Sequence, residues 1–444
     1  MRYCCLIIIL AAGLAACNNL EDALPSGRST FFRYYEGPYS LTAADVVITP
    51  SGYVILGNIN VNTADTAFTQ AVLINAGPDG NLLDDFHYYA GGSGKSIKPF
   101  YNTGTLAGYV VVGDSVYLDP FAEQAGNIEI ISMRLLFVDA AFNTLQNFYL
   151  TDNTATGNEV RVDFSGEAVA VAPNGSIVVL GTRKANLTAP AEPFLLGIEP
   201  DFAHTWYMPY NLIPGRTGIN GRSVQYINDK IYWTRSLSEV QGQFINSWIS
   251  LPVVEKESAF VNDNALGEYT PSAQYFLSND IAVASDPAFG FGITGTYSKT
   301  TDGSKGNIFF ARALANGNFI TSSLHFFDAA LLTSNSPLTD STQSVVVDQG
   351  LAITSTQDGG YAIAGTFTTV PGVLGHGGRD MIILKVNATG NLMWYRLHGG
   401  AGDDIPVAIK ESPEGNLLIA GTHTLGNYSA IFLMKTNRNG ELKN

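Results

Sequence analysis

Residues 358–365 read DGGYAIAG and residues 379–400 read RDMIILKVNATGNLMWYRLHGG. The pattern then returns as EGNLLIAG at 414–421 and YSAIFLMKTNRNGELKN at 428–444. Gly365 and Gly421 stand 56 residues apart, and Lys385 and Lys435, like Gly390 and Gly440, stand 50 apart. Short apolar runs that close on glycine and repeat at this period read as the blades of a β-propeller.

Outward from this pair, the glycine-closed run recurs as YVILG ending at Gly57, YVVVG at Gly113, SIVVLG at Gly181 and FGITG at Gly295. Successive steps are 56, 68, 114, 70 and 56, and 114 is two steps of 57. A degenerate unit is therefore expected within the long step, in Val224–Thr234 and Phe244–Leu251, with Trp233-Thr234 at the glycine position. The expectation is an all-β, seven-bladed propeller of four-stranded blades. Asp79-Gly80 and Asn316-Gly317 predict tight hairpins in which both central residues take positive φ. The glycine after each inner run is expected where neighbouring blades crowd the axis.

The two ends of the chain complement one another. FFRYYEG at 31–37 aligns with WYRLHGG at 394–400, and the last repeat stops where its own version of that strand should begin. Residues 30–36 are thus expected to complete the final blade, closing the ring and removing its exposed edges.

Apolar residues make up 45% of the chain and charged ones 14%, which provides for a large core and argues against disorder. With 39 acidic and 24 basic residues the formal charge is −15, so nucleic acid would meet net repulsion. All three cysteines fall in the first 17 residues. Arg2, an apolar run at 6–10 and LAAC at 14–17 have the form of a signal peptide, too short for a membrane span. LAAC resembles the bacterial lipobox. That resemblance implies removal of residues 1–16 and acylation of Cys17; polar composition makes 17–28 a tether, and the repeats make 29–444 a single propeller domain. No other thiol remains for disulfides, zinc or nucleophilic chemistry. Acyl chains would hold such a chain in a bilayer without a spanning helix. Asn18 after the cysteine points to the outer membrane, and the short acidic pair Glu21-Asp22 leaves surface and periplasmic orientation open.

The units DGGYAIAG and RDMIILKVNATGNLMWYRLHGG resemble the repeats of bacterial secreted and lipid-anchored β-propellers. The likeness covers the C-terminal third clearly and the rest only at the glycine-closed runs. It implies a propeller exported to the envelope and carries no catalytic motif. In anchor and architecture alone, the chain is also similar to the propeller lipoprotein of the outer-membrane protein assembly machinery.

Candidate chemistry is sparse. AGGSGKS at 90–96 ends like a phosphate loop, but Tyr89 stands where that loop needs glycine, so it reads as an inter-blade connection. Asp84-Asp85 and Asp403-Asp404 are candidate ligand or hard-cation contacts. No calcium-loop spacing accompanies them, and adjacent carboxylates do not by themselves face each other across a cleft, so solvated turn acids are the simpler reading. His87, His204, His325, His376, His398 and His423 lack zinc-site spacing, and there is no G-x-S-x-G elbow. No metal or cofactor is expected. Most aromatic pairs, Tyr34-Tyr35 among them, are expected to pack within and between blades. Asp65-Thr66-Ala67 and Asp340-Ser341-Thr342 resemble short O-glycosylation sites of some Gram-negative bacteria, making Thr66 and Ser341 candidates.

The expectation is a monomeric, non-enzymatic module on an outer-membrane anchor, binding or assembling protein or glycan through the loops at 61–70, 184–192, 256–270 and 326–348. One alternative is a carbohydrate-active hydrolase or lyase using carboxylates at the channel mouth. It predicts acidic groups converging in a concave, aromatic-lined pocket. A passive structural lipoprotein is the other.

Overall fold

The computed structural model describes residues 30–62, 67–102, 104–118, 129–151, 162–184, 191–199, 205–209, 216–219, 222–227, 230–241, 244–250, 253–255, 261–262, 275–298, 306–333, 347–370 and 374–443. The expected signal peptide, Cys17 and its tether lie outside them, as do Thr66 and Ser341.

Among the described residues there are seven four-stranded sheets and one of three strands. Six of the four-stranded sheets are regular antiparallel blades. Blade A holds Ser40–Thr49, Gly52–Asn62, Ala67–Ala76 and His87–Tyr89; blade B holds Ser96–Asn102, Thr105–Leu118, Glu129–Asp139 and Thr144–Leu150. Blade C holds Asp163–Val171, Ile177–Lys184, Glu192–Ile198 and Thr205–Pro209. Blade D holds Tyr275–Val283, Phe291–Ser298, Asn307–Ala313 and Phe319–Phe327; blade E holds Gln349–Ser355, Tyr361–Val370, Leu374–Val386 and Leu392–His398. Blade F combines Asp403–Glu411, Leu417–Leu425 and Tyr428–Thr436 with the N-terminal Phe31–Tyr35. The chain ends meet as the alignment required, from Phe31 opposite Lys435 to Tyr35 opposite Ile431.

The expected count of seven like blades is corrected by the stretch from Arg216 to Asn262. It forms a three-stranded sheet and a four-stranded sheet of short strands. Val224 pairs with Trp233 and Ile219 with Ser236, so the first strand spends five residues where its partner spends three, and the sheet divides there. Five of the six regular blades meet the same point with a single extra residue. The inner strands of blades A, C, D, E and F bulge at Ala44, Glu167, Asn279, Leu351 and Val407, each beside the motif glycine opposite, at 57, 181, 295, 365 and 421.

The bulge explains the glycine. A Cβ at Gly295 would run into the carbonyl oxygen of Leu277, and at Gly365 into that of Gln349. Crowding by a neighbouring blade, the reason expected from sequence, comes first at Gly57, where Ile431 of blade F is the nearest obstacle. The hairpin expectation also changes. Gly80 and Gly317 alone carry positive φ, at 75° and 84°, and each donates its N–H to the residue three before it. Asp79 and Asn316 keep negative φ, so these are four-residue turns closed by glycine.

Apolar side chains fill the gaps between units around the ring. Ile419 and Phe432 of blade F lie against Ile383 and Ala364 of blade E, and Leu418 and Ile431 against Ile55 of blade A. The split unit packs by Ile231 and Trp233 on blade C and by Tyr232 on blade D. No helix among the described residues is long and apolar enough to cross a membrane.

Candidate active site and the central channel

The inner strands surround a cavity of about 280 Å³ lined by Asp45, Lys95, Lys98, Glu167, Arg222, Asp280 and Lys410. Asp45 and Asp280 occupy one place in the repeat, the residue after the bulge, where blades C, E and F have Ala168, Ala352 and Ala408. Each carboxylate reaches to the next blade. Asp45 accepts the Ile97 N–H at 3.1 Å, the Ser96 hydroxyl at 3.2 Å and the Lys98 ammonium at 3.0 Å, while its other oxygen takes the Val46 N–H. Asp280 accepts the Ile353 N–H at 2.9 Å, and the Ser223 hydroxyl and Ile281 N–H at 2.8 Å each.

Burial pushes both carboxyls up. At Asp45 the charges of Lys98 and Lys410 and the Ile97 hydrogen bond outweigh it and hold the group below its ordinary value. At Asp280 burial prevails over Lys410 and the hydrogen bonds, and the group is raised. Acidic groups do converge here, but their oxygens are committed to tying blades together. Among the described residues no aromatic side chain lines the cavity.

A second constellation lies where the connection from blade E enters blade F. Asp404 and His423 face each other in adjacent strands, and the His423 Nδ1–H donates to Asp404 Oδ1 at 2.9 Å. The other carboxylate oxygen accepts the Gly400 N–H at 2.8 Å. Asp404 is 3% exposed, so the reading of this acid as a solvated turn residue is corrected. His423 Nε2 has no hydrogen-bond partner among the described residues.

Tyr34 reaches the same place from the ring-closing strand, its ring 5.4 Å from that of His423. Ala430, opposite His423, is small enough to let the phenol lean across. Tyr34 is 48% exposed. Its partial burial and the negative charge of Asp404 raise its phenol, which therefore stays protonated. Asp403 holds Arg379 through Nε at 3.3 Å and Nη2 at 2.9 Å, on the rim beside Asp404. Asp380 is buried under Gly399, accepts the His376 N–H, and is raised by burial and then by Asp404 and Asp403.

The other candidates stay apart. Asp84 and Asp85 are exposed on blade A, where Asp84 takes the Asn75 amide at 3.0 Å and lies 3.4 Å from His87. Lys95 of the phosphate-loop-like stretch bonds Ser165 and pairs with Asp114 and Glu167. His398 bonds the Gly440 carbonyl, and His325 that of Thr389. No group of three or more histidine, cysteine, aspartate or glutamate side chains suited to a metal occurs among the described residues. Sequence reasoning named Asp404, His423 and Tyr34 separately and missed their meeting. The signal was present in the 363-residue offset, which places 31–35 beside the last repeat.

No known family and no curated protein matches the chain. Solved structures share the fold. Polysaccharide lyase Uly1 aligns with 91% of this chain and 92% of its own at TM-score 0.52 and 8% identity. A puromycin hydrolase aligns with 88% of this chain at TM-score 0.45 and 11% identity, this chain spanning about half (52%) of its length. Trypanosoma rangeli sialidase follows at TM-score 0.39 and 9% identity, over 82% of this chain and 57% of its own. The expectation of a non-enzymatic protein is corrected to this extent: the fold common to nine tenths of both chains is also that of a named polysaccharide lyase, so the propeller gives no ground for excluding an enzyme. At such identity the likeness establishes fold alone.

Proposed function

We propose that this chain is a carbohydrate-active enzyme acting where the connection from blade E enters blade F, and that its reaction is elimination on a uronate-containing polysaccharide. The observation that carries the reading is a histidine fixed by a buried carboxylate beside a half-exposed tyrosine. Asp404 holds the tautomer of His423 that leaves Nε2 basic. Nε2 removes the proton α to the uronate carboxylate, the carbon–oxygen bond to the leaving sugar breaks as the C=C bond forms, and Tyr34 protonates the departing oxygen. The fold-sharing polysaccharide lyase is consistent with this class of substrate.

Hydrolysis by paired carboxylates fits less well, because Asp380 is buried beneath Gly399 and Asp404 is spent on Gly400 and His423. Incubation with polyuronates and neutral polysaccharides tests the reading. Unsaturated, ultraviolet-absorbing ends are expected from polyuronates. New reducing ends without that absorbance would replace elimination by hydrolysis, and no new ends from any substrate would remove the enzymatic reading.

Two further readings belong to this proposal. The split unit takes the seventh position of the ring, since Arg222, Ser223 and Gln225 line the channel together with residues of the six blades. The chain is lipid-anchored at the outer membrane through Cys17, on the strength of LAAC at 14–17. Cys17→Ser should move the protein from the membrane to the soluble fraction, and unchanged membrane recovery would refute the anchor.

A further inference from the structure

On blade F the face that carries His423 continues past it into solvent. His423 pairs with Ala430, and two residues further along each strand Leu425 pairs with Tyr428 across a two-residue turn at 426–427. Side chains two apart on a strand share a face, so Leu425 and Tyr428 stand on the His423 face. Tyr34 shares it, because it pairs with Phe432, which pairs with Gly421 two residues before His423. On one side of His423 this face is core, with Phe432 buried against Ile383 and Ala364 of blade E. On the other it is open, with Leu425 57% and Tyr428 40% exposed.

Two features mark this apolar pair as built rather than incidental. The Tyr428 hydroxyl donates to the Gly37 carbonyl at 3.1 Å, which fixes the ring by its polar tip and spends none of its face. A ring already held in place loses little freedom when a ligand stacks on it. The second feature is the rim. Between their second and third strands blades A to E have connections at 63–66, 119–128, 185–191, 299–306 and 371–373, whereas blade F has 426 and 427 alone. The shortest of these connections stands beside His423, and blade F itself raises no loop over Tyr428.

We propose, resting on elimination at His423, that Tyr428 and Leu425 form a sugar-stacking subsite for the ring of the polysaccharide next to the one that reacts. Two residues of strand rise set them about 7 Å along from the His423–Ala430 pair, the scale of one sugar unit in a bound chain. A sugar ring carries C–H groups on its faces and hydroxyls at its edge, and a tyrosine with an apolar body and a polar tip is its complement. The substrate chain thus runs on over the hairpin of blade F instead of ending at the histidine.

Calorimetric titration of the full chain carrying His423→Ala, with tetrasaccharides prepared from pectate and from alginate, tests this by binding rather than turnover. At least one tetrasaccharide should bind. Adding Tyr428→Ala should weaken it about five- to tenfold and adding Leu425→Ser about threefold, whereas Tyr428→Phe, which keeps the ring and loses the Gly37 bond, should stay within about twofold. If circular dichroism shows that Tyr428→Ala does not fold, Leu425→Ser carries the test. Binding of neither tetrasaccharide, affinity unchanged by the variant that carries the test, or a Tyr428→Phe loss equal to that of Tyr428→Ala would each overturn the subsite, the last because the bond to Gly37 and not the ring face would then matter. The elimination fails separately. Tetrasaccharide binding that depends on Tyr428, with no unsaturated ends released by the parent, keeps the subsite and removes the reaction; unsaturated ends released by Tyr428→Ala with the parent's KM do the reverse.

Discussion

Asp45 and Asp404 are both buried aspartates on inner strands, yet they do opposite kinds of work. Asp45 spends its oxygens on the Ile97 and Val46 N–H groups, Ser96 and Lys98, all of which belong to the wall of the ring. Asp404 spends one oxygen on a turn and the other on a histidine whose second nitrogen is uncommitted. Burial and carboxylate chemistry are common to the two. What separates a structural clamp from a catalytic support is whether the partner is backbone or a side chain with chemistry left over.

The largest effect expected from this contrast is on turnover. His423→Ala, and Asp404→Ala through loss of the held tautomer, should lower elimination by about 10²–10⁴-fold, with little change in melting temperature. Tyr34→Phe should lower it within the same range while retaining the ring contact with His423. Rates measured by the appearance of unsaturated ends decide it. If Asp404→Ala unfolds the chain as readily as a channel variant does, the contrast fails and Asp404 is a clamp as well.

Next in size is the clamp itself. Asp45→Ala leaves the Ile97 N–H and the Lys98 ammonium without their acceptor inside the ring. Removing one partner of a buried pair costs about 3–5 kcal/mol, and urea unfolding should register it with any catalytic activity intact in the surviving folded fraction. A loss under about 1 kcal/mol, the range of a surface ion pair, would mean that water replaces the carboxylate easily.

How much of this was legible in the sequence follows from the same distinction. Ring closure by 31–35 could be read because strand pairing is copied between repeats, and one offset aligned both ends. The motif glycines could be found but explained only in part, because the bulge exists only once two strands are paired. Trp233-Thr234 marked the irregular unit, whereas the two extra residues that divide its sheet show only in the register. The constellation around His423 was hidden for a simpler reason. Tyr34 and His423 are separated by nearly the whole chain, and no spacing rule joins residues that meet through closure of a ring.

The bulge provides an intermediate test. Gly295→Ala places a methyl against the Leu277 carbonyl, and overpacking of this kind costs about 1–3 kcal/mol. Gly415, with φ of 81° and open space around it, meets no atom and should lose only the backbone preference of glycine, roughly 1 kcal/mol. Chemical denaturation of the two alanine variants separates the causes, and equal losses would show that the bulge imposes no steric demand.

The smallest effect is the most discriminating, because Asp45 and Asp280 share a place in the repeat and differ in charge environment. The folded Asp45 carboxyl titrates below its unfolded value, near 3.9, so its stabilisation is present above that pH and is lost as pH falls through the folded value. The Asp280 carboxyl titrates above its unfolded value, so its contribution is present in acid and is lost as pH rises through the folded value. Asp280→Asn forfeits one of three hydrogen bonds while removing a buried charge, and the net change at neutral pH should stay within about 1 kcal/mol. What matters is the slope. The stability difference between the parent and Asp45→Asn should grow with pH across the acid range, and that between the parent and Asp280→Asn should shrink. Parallel slopes would mean that Lys98 does not set the two apart, and that position in the repeat alone governs how these carboxylates behave.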